Sequence, residues 1–125
     1  DLLERLSSRQ VKMALASSSS MRLIDAVLSQ FGLASYFSAV VSGEDVEEGK
    51  PAPDIFLKAA IQLDEAPAEC VVVEDSLAGL KAGRAAGMKV VIVPNEYTSM
   101  FDFSEADHLI QSLDHFEELG LIGSQ

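Results

Sequence analysis

Short unbroken apolar runs alternate along this chain with longer stretches whose apolar positions recur at helical spacing. The runs fit buried strands, and the stretches fit helices that lay one face on a core. Leu2 to Arg9 reads as the end of a helix, and Val11 to Ala16 as a first strand, interrupted by the serines Ser17 to Ser20. From Met21 to Phe31 the residues Leu23, Ile24, Val27, Leu28 and Phe31 share a helical face, and Gly32 supplies the stop. Ala39 to Ser42 is a second short strand. An acidic loop, Gly43 to Gly49, then leads into Lys50-Pro51-Ala52-Pro53, where the prolines forbid regular structure.

The alternation continues to the end of the chain. Asp54 to Leu63 predicts a helix that buries Ile55, Phe56, Ala59, Ala60 and Leu63; Val71 to Val73 predicts a third strand. Ser76 to Ala86 is a helix capped by Asp75 or Ser76 and ended by Gly87, and Lys89 to Val93 is a fourth strand. Beyond it come a loop from Tyr97 to Phe103, a short strand within Asp107 to Ile110, and a last helix from Leu113 to Leu119. Strands and helices in strict alternation predict the α/β class, a Rossmann-like doubly wound parallel sheet between helical layers.

Composition narrows the picture. With 125 residues, 48% of them hydrophobic, the chain makes one compact domain or a large piece of one. No apolar run approaches a membrane span and no basic-then-apolar leader opens the chain, so a cytoplasmic setting is the default expectation. Cys70 has no cysteine partner and reads as a buried small apolar residue. The formal net charge of −11 argues against nucleic acid or an anionic membrane as partner, since neither can be held without clustered Lys and Arg. An acidic protein that handles a phosphorylated metabolite must therefore reverse the field locally, with a lysine, backbone N–H groups and a metal ion.

In sheets of this class ligands sit beyond the carboxyl ends of the strands. Ser17 and Ser18 follow the first strand, where hydroxyl and backbone N–H groups suit a phosphoryl group; the plainer alternative is that a serine only caps the next helix. Lys50 follows the second strand in a proline-stiffened segment, suited to neutralising phosphate, though most such lysines are merely solvated. Glu74 and Asp75 end the third strand, and two adjacent carboxylates there repel one another unless a cation or a donor intervenes. Magnesium, a hard cation, prefers such oxygens; the alternative is that Asp75 caps the helix and Glu74 is exposed. Gly79, Gly83 and Gly87 fall on one helix face and predict close packing of that helix on the sheet. His108 and His115 have no partner at ligand spacing and read as structural, and the Gly-rich dinucleotide and triphosphate loops are both absent.

Three of these segments together resemble the haloacid dehalogenase superfamily, most closely its β-phosphoglucomutase-like branch. Leu15-Ala16-Ser17-Ser18-Ser19 is similar to that family's second motif, Gly49-Lys50-Pro51-Ala52-Pro53-Asp54-Ile55-Phe56 to its third, and Val73-Glu74-Asp75-Ser76 with Gly79 to its fourth. The resemblance implies magnesium-dependent phosphoryl transfer, as a phosphatase or phosphomutase acting on a small phosphorylated metabolite such as a sugar phosphate. It implies that Ser17, Ser18 and Ser19 bind the phosphoryl oxygens, that Lys50 offsets their charge, and that Asp75, helped by Glu74, holds Mg2+. The family's nucleophile is an aspartate in a first motif of the form Asp-x-Asp-Gly-Thr, and no such sequence occurs here. Nor is there a helical cap domain between first and second motifs.

The expectation is accordingly a C-terminal portion, residues 1–125, of a larger core domain, inactive by itself. The absent first-motif strand belongs centrally in the family's sheet, which leaves a slot between the strands at Val11 to Ala16 and Val71 to Val73 for an N-terminal segment of the same protein to fill. Two other classes compete. A phospho-receiver signalling domain shares the sheet and an acidic metal site but places its acid pair first and its lysine late, the reverse of the order here. A non-catalytic binding fragment would show no coupling between magnesium and phosphate.

Overall fold

The computed structural model describes residues 2–121, so residues 1 and 122–125 of the expected domain lie outside it. Helix α1 (Leu2–Ser8) leads into β1 (Ala14–Ser17), which begins later than the apolar run suggests. Val11 is spent on the turn out of α1: its N–H reaches Leu6 O, and Gln10 before it takes a left-handed φ of 61°. Next come α2 (Met21–Phe31), β2 (Ala39–Ser42), α3 (Asp54–Leu63), β3 (Val71–Glu74), α4 (Leu77–Ala85), β4 (Lys89–Ile92) and the brief β5 (His108–Leu109). Gly32, at φ 65°, closes α2 as expected. The last expected helix is two separate 3-10 turns, Leu113–His115 and Glu117–Leu119. Ser112 caps the first, and Gly120 in the left-handed region stops the second before a full α-helical turn can build.

The strands form two parallel sheets. β1 pairs with β2, Ala14 opposite Ala39 through Ser17 opposite Ser42. In the other sheet the order is β3-β4-β5, with Val71 opposite Lys89 and Glu74 opposite Ile92. Among the described residues β1 and β3 are not hydrogen-bonded to each other, as the expected slot requires.

Side chains alternate across β3 and β4, and Val90, Val91 and Ile92 of β4 are buried on both faces. Val72, Val90 and Ile92 face a core they share with Ile55 and Phe56 of α3 and Leu80 of α4, while Val91 faces a second cluster with Leu6, Ile110 and Phe116. Fully burying a residue such as Ile92, which has no exposed surface, stabilises by roughly 1.5–3 kcal/mol. The glycines of α4 separate into two roles. A Cβ on Gly83 would come within 2.6 Å of Val90 Cγ2, so that glycine brings the helix down onto β4. Gly87 has nothing within 4 Å and takes the left-handed φ of 80° that ends the helix, as expected, so of its two expected roles it keeps the stop and not the packing. Cys70 is half-buried against the main core rather than fully enclosed, its Sγ–H donating to Ala66 O at 3.4 Å. No helix among the described residues is long and apolar enough to cross a membrane.

Candidate functional site

The register aligns the carboxyl ends of β1 and β2, so Ser17 and Ser42 close one sheet side by side. Ser17 Oγ accepts a 3.1 Å hydrogen bond from Ser19 N, which folds the loop back on itself. Ser20, not Ser17 or Ser18, is the N-cap of α2, accepting from Leu23 N at 3.3 Å. The capping alternative thus falls on the fourth serine, and the first three shape the loop before the helix.

That loop is braced by its neighbour after β2, a contribution the sequence reading missed. Ser42, fully buried, donates through Oγ to Ser19 O at 2.7 Å and accepts from Glu44 N at 3.0 Å. Asp45 reaches back to Ser42 N at 2.8 Å, completing a capping box on the turn Gly43–Asp45. Glu44 accepts from Met21 N at 2.9 Å, so the first turn of α2 is already supplied with a carboxylate. Gly43 lets the two loops touch, since a Cβ there would lie 2.8 Å from Ser18 O. The sequence signal was Ser42 with Asp45 three residues on, an acidic variant of the capping-box spacing.

Across from this loop, Lys50 and Glu74 meet. Lys50 Nζ lies 2.7 Å from Glu74 Oε2, with only 12% and 13% of the two side chains exposed, and the ammonium sits 5.1 Å from the centre of the Phe56 ring. Glu74 is therefore neither exposed nor unpaired, unlike the plain alternative weighed for it. Its other oxygen, Oε1, accepts from Ser76 Oγ at 3.1 Å and from Asp75 N at 3.2 Å. Gly79 clears the space, because a Cβ on it would overlap the Glu74 carboxylate. The pair ties the loop of the first sheet to the tip of the second.

Asp75 is left at the exposed tip. Ser76 is the N-cap of α4, accepting from Gly79 N at 3.0 Å, so Asp75 is not spent on capping. Its Oδ2 accepts from Asn95 Nδ2 at 2.9 Å, and Asn95 too went unforeseen. Val73, Glu74, Asp75, Val93 and Leu113 line an open cleft there. Among the described residues no three His, Cys, Asp or Glu side chains gather to hold a metal ion by themselves. The structure therefore joins Lys50 with Glu74 and Glu74 with Asp75, and sets the Ser17 loop on the neighbouring sheet's end, with its own hydrogen bonds running to residues 42–44.

Residues 1–87 match the family described as haloacid dehalogenase-like hydrolase. The bifunctional riboflavin kinase/FMN phosphatase of Arabidopsis thaliana is 43% identical over 113 residues, 90% of this chain and 30% of that protein. The fructose-1-phosphate phosphatase YqaB of Escherichia coli is 44% identical over 81 residues, 65% of this chain and 43% of its own length. The crystal structure of CbbY from Rhodobacter sphaeroides in complex with phosphate superimposes with a TM-score of 0.86 at 35% identity, covering 96% of this chain and 53% of that one. The chain thus spans about half or less of the length of these relatives.

Proposed function

The chain belongs to the haloacid dehalogenase-like hydrolase family, and from that premise we propose that it forms the phosphate-holding and metal-holding side of an enzyme that removes a phosphoryl group from a small phosphorylated metabolite, such as a sugar phosphate. The attacking aspartate, which forms an aspartyl-phosphate, lies outside this chain. Two of the relatives are phosphatases by name, which supports hydrolysis, and a solved structure described as a putative beta-phosphoglucomutase, 31% identical, favours transfer to a sugar as the second reading.

In this reading Ser17 Oγ and the loop of Ser18 and Ser19 bind the phosphoryl oxygens, with Ser42 and Gly43 fixing that loop in shape. Lys50 offsets the anionic charge. Its ammonium is desolvated and pre-aimed by Glu74, so that little side-chain entropy is lost when phosphate arrives. The Lys50–Glu74 pair is the observation that carries the proposal: a lysine this deeply enclosed at a strand mouth is not an ordinary solvated loop residue.

The chemistry of Asp75 fits Mg2+, which commonly takes one or two carboxylates and completes its shell with waters and substrate phosphate. Asp75 would be the carboxylate that holds the ion, helped by Glu74, whose oxygens already accept from Lys50 and Ser76. A bound magnesium ion would draw charge from the phosphoryl oxygens. An N-terminal segment of the same protein completes the sheet in the slot.

Phosphate titration of the chain in the presence of magnesium tests the reading. Lys50→Ala is expected to weaken binding at least about tenfold, the usual scale for losing a charge-assisted contact; unchanged affinity would refute Lys50 as the phosphate lysine. The chain alone should show no magnesium-dependent turnover of an aryl phosphate, and turnover would place the nucleophile within it.

A further inference from the structure

Asn95 stands just past β4, and every polar atom of it is committed. Its Oδ1 accepts from Tyr97 N at 2.8 Å, Thr98 N at 3.0 Å and Thr98 Oγ1 at 3.3 Å. Its own N–H donates to Thr98 Oγ1 at 3.0 Å, and its carbonyl accepts from Ser99 N at 3.0 Å. Backbone N–H groups can only donate, so the side-chain oxygen must face the loop, and the amide cannot flip. That leaves Nδ2 one direction, the one in which it meets Asp75 Oδ2 at 2.9 Å.

We infer that Asn95 is a positioning residue for Asp75: it engages one carboxylate oxygen and presents the other to the cation, an inference that rests on reading Asp75 as the cation's carboxylate. Both side chains are exposed, and an exposed aspartate otherwise samples several rotamers that must be given up on binding. A donor held by a folded loop restricts them in advance, as partners of metal ligands do in other sites. The loop carries Tyr97, Met100 and Phe101, all well exposed. Its order is therefore linked to the cation's carboxylate through a single amide.

Manganese, a paramagnetic stand-in for magnesium, supplies the test on the 125-residue chain, with affinity read from water-proton relaxation and location from broadening of the amide signals of residues 74–76. Asn95→Ser retains an oxygen to hold the turn but cannot span to Asp75, whereas Asn95→Ala loses both functions. Both are expected to bind manganese about tenfold more weakly than the unsubstituted chain, with the Ser variant keeping the amide shifts of residues 97–101. Asn95→Ser binding manganese within twofold of the unsubstituted chain, while Asp75→Ala loses it, would show that Asn95 only folds its own loop and would overturn the inference alone. Manganese broadening that is absent, or indifferent to Asp75→Ala, would bring down the assignment of Asp75 and the role of Asn95 with it.

Discussion

The two sheets differ in how completely they are enclosed. In β3-β4-β5 the middle strand has a partner on each side, and Val90, Val91 and Ile92 have no exposed surface at all. In β1-β2, every residue of β1 is only partly buried although Ala14, Leu15 and Ala16 are apolar. β3, unpaired along one edge, also has an incompletely covered face, with Val73 44% exposed. Strand edges and apolar side chains left open in this way are costly features unless something covers them. The two incompletely enclosed strands are those whose carboxyl tips carry Ser17 and Glu74 with Asp75. The candidate site thus lies where the core is unfinished, and the Lys50–Glu74 pair spans the gap between the halves.

Cutting that span should have the largest effect. Glu74→Ala strands the Lys50 ammonium in a largely enclosed site and is expected to destabilise by roughly 3 kcal/mol, measured by urea unfolding; a loss below about 0.5 kcal/mol would show that the halves do not depend on the pair. Gly79→Ala drives a methyl into the Glu74 carboxylate and should cost roughly 1–3 kcal/mol while weakening phosphate binding through the displaced lysine. The reverse change at an exposed position of the same helix, Ala78→Gly, should leave phosphate affinity alone. Ser42→Ala removes the donor to Ser19 O from a fully buried position and should cost about 1 kcal/mol, with amide exchange in residues 17–20 accelerating more than exchange in β4. Equal acceleration in both sheets would erase the distinction drawn between them.

The smallest expected effect concerns Cys70. Partial burial first, then the carboxylates of Glu65 and Glu69, push its thiol above the ordinary cysteine range. Being raised in the folded state, this group contributes stability that is present below the ordinary thiol pKa and lost as pH rises through the folded value. Alkylation at pH 8 should accordingly lag that of a free cysteine, and unfolding should abolish the lag.

Most of the architecture was legible because it follows from periodicity. The helix α2, the stop at Gly32 and the strand at Ala39 to Ser42 all stand where the pattern put them, although of the five-residue α2 face only Ile24 and Leu28 are buried and Leu23, Val27 and Phe31 are exposed. The end of the chain did not, because Leu113 to Leu119 has helical composition but lies between a serine cap and a left-handed glycine too close together for α-helical turns. The site was half legible. Lys50, Glu74 and Asp75 could be picked out as charges at strand ends, yet that Lys50 would take Glu74 and leave Asp75 to Asn95 depends on contacts across 24 and 20 residues of chain. Ser42 and Asn95 carry no charge, and nothing in their immediate sequence marks a partner in another loop.

On the proposed reading serine loop, lysine and aspartate act as one site despite standing on two sheets. Calorimetric titration of the chain with inorganic phosphate, in the presence and absence of magnesium, tests it directly. One site requires each ligand to tighten the other by the same factor, at least about fivefold, and requires Lys50→Ala or Asp75→Ala to abolish the coupling. Phosphate and magnesium binding that ignore each other would show two unconnected features, and the account would be wrong.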